Sequence, residues 1–196
     1  MSTTRLAING FGRIGRNAFK IAFERADLEI VAINDLTDNK TLAYLLKHDS
    51  NYGTYEREVG ADDEGLIVDG KKIKVLAEKD PAALPWKDLD VDIVIESTGF
   101  FTDKEGASKH IDAGAKRVVI SGPTKSEGVD TLVLGANDDK IEGSTKVVSN
   151  ASCTTNSLAV VMAILDAEFG VEKSLMTTVH SYTASQKLQD APSKDL

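Results

Sequence analysis

The sequence predicts a doubly wound α/β domain built on a largely parallel sheet, and three observations predict it. A glycine-rich turn, Gly10-Phe11-Gly12-Arg13-Ile14-Gly15, sits between an apolar run and an amphipathic run. Short β-branched runs then alternate with helical patterns along most of the chain. An acidic residue, Asp35, closes the second apolar run. Strands that alternate with helices pack as parallel strands with crossover helices on the faces.

Taken in order, Leu6-Ala7-Ile8-Asn9 reads as a buried strand. Arg13 to Arg25 carries Ile14, Ala18, Ile21 and Ala22 at helical spacing. Ile30 to Asn34 is β-branched and reads as the next strand. Lys40 to Lys47 is expected to be helical. Residues 53 to 75 read as irregular antiparallel hairpins, with turns at Asp63-Glu64-Gly65 and Asp69-Gly70. Lys71, Lys72 and Lys74 are expected on the solvated face of a short strand. Val91 to Glu96 is a strand, Lys104 to Ala113 a helix closed by Gly114, and Arg117 to Ile120 a strand. Thr131 to Leu134 and Lys146 to Val148 are two more. A helical pattern runs from Ser152 through Leu158, Val161, Met162 and Leu165 to Phe169 and ends at Gly170. Ser174 to His180 is expected to be a strand, followed by a polar stretch. No internal repeat or long linker interrupts this order.

The composition narrows the function classes. The chain has 196 residues, 41% hydrophobic and 28% charged, with a formal net charge of −8 and a sequence pI near 4.9. Nucleic-acid binding needs clustered Lys and Arg to neutralise phosphates, so no nucleic-acid partner is expected. No run approaches the ~18 apolar residues of a membrane span, so no membrane role is expected either. Met1 to Arg5 lacks the features of a secretory signal, which points to a cytoplasmic protein. The one cysteine, Cys153, excludes an intrachain disulfide, and no metal site is expected.

The glycine turn matches G-x-G-x-x-G in the strand–turn–helix context that a Rossmann-type dinucleotide site requires. Gly10 permits the tight turn, Gly12 leaves room for a pyrophosphate, and Gly15 allows close packing of helix on strand. The amides of Arg13 and Ile14 are then aimed at the anion, aided by the helix dipole. Asp35, about 20 residues beyond the turn, can accept hydrogen bonds from ribose hydroxyls and would repel a 2′-phosphate, favouring NAD over NADP.

Cys153 opens a helix within Ser152-Cys153-Thr154-Thr155-Asn156. A helix N-terminus lowers a thiol pKa and can make the cysteine a nucleophile. The same hydroxyl and amide side chains would equally serve as plain helix caps. His180 favours the nucleophile, because it ends the next predicted strand and an imidazole can take the thiol proton. His48, after a helix, and His110, on a charged helix face, are expected to be solvated or structural.

These segments together resemble the phosphorylating glyceraldehyde-3-phosphate dehydrogenases. The resemblance rests on Ile8-Asn9-Gly10-Phe11-Gly12-Arg13-Ile14-Gly15-Arg16, on Ser97-Thr98-Gly99-Phe100-Phe101, on Ser149 to Asn156 and on Thr177 to Thr183, in family order. It implies that residues 1–151 form an NAD-binding domain and that residues 152–196 begin an α+β catalytic domain. It also implies that Cys153 attacks the aldehyde of glyceraldehyde 3-phosphate, with His180 as the acid–base partner, and that inorganic phosphate cleaves the resulting thioester. Ser152, Thr154 and Thr183 would then help hold substrate or attacking phosphate. Gly10, Phe11, Gly12, Arg13, Ile14, Gly15, Asp35, Lys79 and Ser121 would meet NAD, with Ser97, Thr98, Gly99 and Phe101 bordering its adenosine. Lys79 stands where many members have Arg, which keeps the charge but loses the planar fork.

The polar tail from Thr183 resembles the start of the family's S-shaped loop, and Pro192 after Ala191 goes with NAD preference there. A homotetramer is implied for the full-length protein. The family's chain is longer, so this one is expected to end inside the catalytic domain, without the family's phosphate-gripping arginines, and to be inactive alone. Two other readings remain at this point: an erythrose-4-phosphate dehydrogenase, or a non-catalytic NAD-binding module.

Overall fold

The computed structural model describes residues 3–183 together with Gln186, Leu188 and Asp190. Strand β1, Thr4–Asn9, runs through the middle of a sheet. Its inner residues are buried on both faces, which is why the run reads as continuously apolar rather than alternating. Successive residues feed opposite sides. Ala7 and Ala32 pack with Trp86, Val94, Ala107 and Val118, while Ile8 and Ile33 pack with Phe11, Phe19, Leu42 and Leu46. Two cores back to back require cover on both faces, and helices supply it.

Helix α1, Arg13–Phe23, leads to β2, Leu28–Asn34, which pairs parallel with β1. Helix α2, Asn39–Lys47, covers the same face and is capped by the Asp38 carboxylate on the Thr41 amide. A small hairpin follows, β3 at His48–Asp49 and β4 at Gly53–Thr54. Strands β5, Val59–Ala61, β6, Gly65–Val68, and β7, Lys71–Leu76, form the expected antiparallel meander. The last of them returns to the sheet and pairs parallel with β2. Its three lysines are all exposed.

Strand β8, Ile93–Glu96, lies on the other side of β1. Helix α3, Lys104–Asp112, β9, Arg117–Ile120, β10, Asp130–Thr131, and β11, Val147–Ser149, complete the sheet. Among the described residues the order is β10-β11-β9-β8-β1-β2-β7-β6-β5. The chain builds outward from β1 through β2 and β7 on one side, then crosses back to β8 and builds outward on the other, so the strand order reverses there. A crevice opens beyond the carboxyl ends of such strands. The last element, α4, Cys153–Phe169, starts beyond the end of β11, at the same sheet edge.

Several expectations need correction. Helix α1 does not bury Ile14 and Ile21, which are 55% and 68% exposed; Gly15, Arg16, Phe19 and Ala22 are buried instead. The cause is Gly15. A Cβ there would fall on the Gly10 carbonyl oxygen, so this residue must face the sheet and sets the rotation of the whole helix. His110 is not on a solvated face but fully buried with Gly106 and Ala107. The strand expected at Thr131 to Leu134 covers only Asp130–Thr131, and Leu134 is exposed. Residues 174–180 form no strand; they run in irregular, exposed conformation, because no strand among the described residues lies beside them to complete a ladder.

The packing makes a direct prediction. Gly15→Ala forces the helix away from the Gly10 carbonyl and should cost about 1–3 kcal/mol, as overpacked cores do. The thermal midpoint followed by circular dichroism is expected to fall by several degrees, and an unchanged midpoint would contradict this account of α1.

Candidate active site

The turn after β1 is shaped by close backbone approach. Gly10 has φ +91°, and a Cβ on it would sit 2.6 Å from the Thr98 nitrogen. Both its conformation and its neighbour therefore demand glycine. Gly12 differs. It has an ordinary φ of −73°, and a Cβ built there meets nothing within 4 Å. The protein itself gives no reason for glycine at this exposed N-cap of α1.

Asp35 stands beyond the end of β2. Its Oδ2 accepts the Phe11 N–H at 2.7 Å and its Oδ1 accepts the Thr37 N–H at 2.9 Å. A carboxylate has about four acceptor positions, so capacity for two hydroxyl donors remains. The buried Phe11 ring packs edge-on to Phe19 and anchors the turn from below.

Arg13 is already engaged. Its guanidinium donates to Asp49 at 3.0 Å and to Asp190 at 2.5 Å. Asp190 also accepts from the Ser50 amide and hydroxyl, and its carbonyl accepts from Arg16 at 2.9 Å. Burial pushes the Asp190 carboxyl up, but Ser50 and Arg13 outweigh it and hold the group below its usual range. Burial, followed by Arg13 beside it, lowers the pKa of the Arg16 guanidinium. No sequence signal ties Asp190 to the glycine turn, because the two lie at opposite ends of the chain. Ile14 lies exposed beside this cluster, at the second position of α1.

On the β8 side, the Ser97 hydroxyl donates to the Gly10 carbonyl at 2.7 Å. The Thr98 amide donates to Glu96 Oε1 at 2.8 Å, and the Thr98 hydroxyl donates to the same oxygen. Gly99 takes φ +79°, and Phe101 lies against Gly106 of α3. The Ser121 amide continues the ladder from β9 onto the Glu96 carbonyl. Lys79 is exposed in the segment after β7. The sheet thus gathers the turns after β1, β2 and β8 and the Ser121 backbone at one edge. Glu96 was not singled out from the sequence; nothing local reveals a buried carboxylate at a strand end.

Cys153 is the first residue of α4. Ser152 caps the helix by accepting the Thr155 amide at 2.9 Å. The Asn156 side-chain amide reaches back to the carbonyls of Asn150, at 2.7 Å, and Ser152, at 3.0 Å. Between them Ala151 is held at φ +61°, an uncommon conformation for a residue with a Cβ. Such a conformation persists only where its surroundings over-determine it. Here the buried Ser149 hydroxyl accepts the Ala151 amide at 3.1 Å. This bend delivers Cys153 to the sheet edge.

Cys153 Sγ lies 3.2 Å from His180 Nε2, and both residues are exposed. His180 Nδ1 meets the Ser181 carbonyl at 2.6 Å. A carbonyl only accepts, so Nδ1 carries the hydrogen and Nε2 is left facing the sulfur. The His180 contact lowers the thiol pKa, outweighing the opposing effect of burial. The Ser181 carbonyl, and then the sulfur, raise the pKa of the imidazole. Both shifts run in the direction of thiolate and imidazolium. Thr154 follows Cys153 half-buried in the first turn, and Thr183 is exposed, its amide donating to Gln186 Oε1 at 2.6 Å. Ala191 and Pro192 lie outside the described residues.

The other histidines take no part in this pair. His48 is exposed at the end of α2 beside Tyr44. His110 Nδ1 accepts the Trp86 indole N–H at 2.9 Å, and its Nε2 meets Glu96 at 2.9 Å. Among the described residues no group of three or more His, Cys, Asp or Glu is placed to hold a metal ion. No described helix is long and apolar enough to cross a membrane.

Residues 4–104 match the family described as "Glyceraldehyde 3-phosphate dehydrogenase, NAD binding domain". Residues 152–196 match its "Glyceraldehyde 3-phosphate dehydrogenase, C-terminal domain". The glyceraldehyde-3-phosphate dehydrogenase of Borreliella burgdorferi is 56% identical over 197 residues, covering 98% of this chain and 58% of that protein. That of Thermotoga maritima is 54% identical over 194 residues, and that of Geobacillus stearothermophilus 53% over 193 residues, each covering 98% of this chain. The chain thus spans about 58% of the length of the relatives it matches.

The contact between Cys153 and His180 predicts a pH profile. The alkylation rate of Cys153 with iodoacetamide should rise with a midpoint below the about 8.5 of a free thiol. His180→Gln removes the partner and should return the midpoint to the ordinary thiol range, slowing alkylation at neutral pH several-fold. Identical profiles for the two proteins would rule out the imidazole as the cause of the lowered value.

Proposed function

Because the chain belongs to the glyceraldehyde-3-phosphate dehydrogenase family, we propose that its parent protein oxidises glyceraldehyde 3-phosphate and captures inorganic phosphate to give 1,3-bisphosphoglycerate. The observation that carries this reading is the 3.2 Å contact between Cys153 Sγ and His180 Nε2 at the start of α4. That contact stands at the same sheet edge as the glycine turn. Residues up to 151 then form the cofactor domain, and residues from 152 begin the catalytic one.

The cofactor site passes a simple steric test. Gly12 is needed neither for its φ nor by any protein neighbour, so the missing Cβ serves something that comes from outside. A pyrophosphate at the N-terminus of α1 would take that space, meeting the free amides of the first turn. The turn from Gly10 to Gly15 would hold it, with Asp35 on the ribose. Ser97, Thr98, Gly99, Phe101 and Ser121 would border the adenosine, and Lys79 would supply charge at its rim. NAD, when bound, accepts the hydride.

The residues of this chain perform the remaining steps. The Cys153 thiolate adds to the aldehyde carbon and forms a C–S bond, while the carbonyl oxygen gains a proton. His180 Nε2 takes that hydroxyl proton as the hydride departs, which leaves an acyl thioester on Cys153. Phosphate oxygen attacks the acyl carbon, the C–S bond breaks, and the thiolate is restored. By the family resemblance, Ser152, Thr154 and Thr183 would offer hydroxyl or amide donors to the substrate or attacking phosphate. The full-length protein is proposed to be a cytoplasmic homotetramer, an inference supported by the family resemblance.

The 196-residue chain alone should show negligible steady-state turnover, since Cys153 and His180 are open to water and no arginine lies among residues 152–196. Normal turnover with glyceraldehyde 3-phosphate, NAD and phosphate would overturn that expectation. The full-length parent is expected to prefer this sugar to erythrose 4-phosphate. Calorimetric titration of the chain with NAD should give binding, which Gly12→Ala weakens by about tenfold or more with little loss of stability. Equal affinity for Gly12→Ala and the wild type would remove the argument for a pyrophosphate at this turn.

A further inference from the structure

We propose that Glu96 is the positioning residue of the cofactor cradle, acting through Thr98 and Asn9 rather than by touching the cofactor. The proposal rests on the NAD site argued above. Glu96 ends β8 and is 1% exposed. Its two oxygens collect four donors. Oε1 takes the amide and the hydroxyl of Thr98. Oε2 takes the Asn9 side-chain amide at 2.5 Å and faces His110 Nε2 at 2.9 Å.

His110 must donate here. The Trp86 indole N–H is a donor only and points at His110 Nδ1, so Nδ1 is bare and Nε2 carries the hydrogen. A side chain that only accepts, at four positions, is a carboxylate. Glutamine has one accepting oxygen and would turn an N–H against donors. The identity of this residue is thus set by its surroundings.

The network reaches three segments that face the cofactor. Thr98 belongs to the turn after β8, whose backbone touches Gly10. The Asn9 side-chain oxygen accepts from Asn34 at 2.7 Å, at the end of β2. Asn34 in turn holds the Glu78 backbone by both its N–H and its carbonyl, just before Lys79. Three loops on different strands are therefore tied to one buried carboxylate, which orders them before any ligand arrives. Preorganisation of this kind lowers the entropy lost on binding.

The test uses the 196-residue chain, NAD calorimetry and thermal melts on E96Q, T98V and T98S. E96Q is expected to bind NAD about tenfold or more weakly. T98V keeps the amide but loses the hydroxyl donor and should lose about three- to tenfold, and T98S should restore it. The double variant E96Q/T98V separates the two roles of Thr98. Effects well short of additive mean that the hydroxyl acts through Glu96, whereas full additivity means that it meets the cofactor directly and overturns the proposal. Cys153 alkylation should be unchanged in every variant. Wild-type affinity in both E96Q and T98V would also overturn it. If E96Q does not fold, T98V decides alone, because equal affinity for T98V, T98S and wild type refutes the coupling. A wild-type chain that binds no NAD would instead refute the cofactor reading itself.

Discussion

Gly10 and Thr98 meet backbone to backbone, with no room for a Cβ between them. Much of the site follows from that contact. It brings the turns after β1 and β8 together where the strand order reverses, and the crevice of a doubly wound sheet forms at that place. It requires Gly10 in a left-handed conformation. It also sets the height of the Gly10 carbonyl, against which Gly15 is pressed. Gly15 then sets the rotation of α1, and the rotation decides that Phe19 and Ala22 are buried while Ile14 and Ile21 face solvent. Hydrogen bonds reinforce the same contact from both sides, with Ser97 on the Gly10 carbonyl and Thr98 on Glu96.

Polar burial beneath this contact is unusually deep for a group that carries charge. Asn9, Asn34, Glu96 and His110 are buried in a row beneath the turns. A buried polar group without a partner costs about 1–3 kcal/mol, so such a row is stable only if its donors and acceptors match. Here they match along the whole path from Trp86 to Glu78. An apolar core would pack the same space, but it would not specify how far apart the loops stand. The cost of burying the carboxylate is offset by four donors, and the result is a fixed edge.

The doubly wound fold and the glycine turn were legible because both are local. A parallel strand buried on both faces leaves an apolar run, and a Cβ-free turn leaves glycines at set spacing. The rotation of α1 was not legible, because periodicity marked isoleucines that a contact with Gly10 turns outward. His110 could be read only as solvated or structural because its neighbours in sequence are charged; its neighbours in space, from β1, β8 and the Trp86 segment, make it structural. Residues 174–180 carry the composition of a strand, but composition cannot supply the adjacent backbone that a strand needs. The proximity of Cys153 and His180 was anticipated from a strand that does not form, yet the two side chains still meet. Ala151, Asn156 and the Ser181 carbonyl, rather than a ladder, hold them.

That difference divides the molecule physically. The cofactor side has two cores, one on each face of the sheet, and its turns are fixed by tertiary contacts that span much of the sequence. The cysteine side is fixed mainly by neighbours in sequence. Helix α4 has no buried residue, although Val161, Ile164 and Phe169 make it apolar around much of its circumference. A helix of that composition is stable inside a core and not as a lone surface element. The bend at Ala151 is therefore what positions the cysteine. It is tied to β11 through Ser149 and to β9 through the Asn150 amide, so the sulfur is delivered by the sheet and not by the helix that follows it. The helix contributes its N-terminal amides and the favourable end of its dipole, and these need only its first turn.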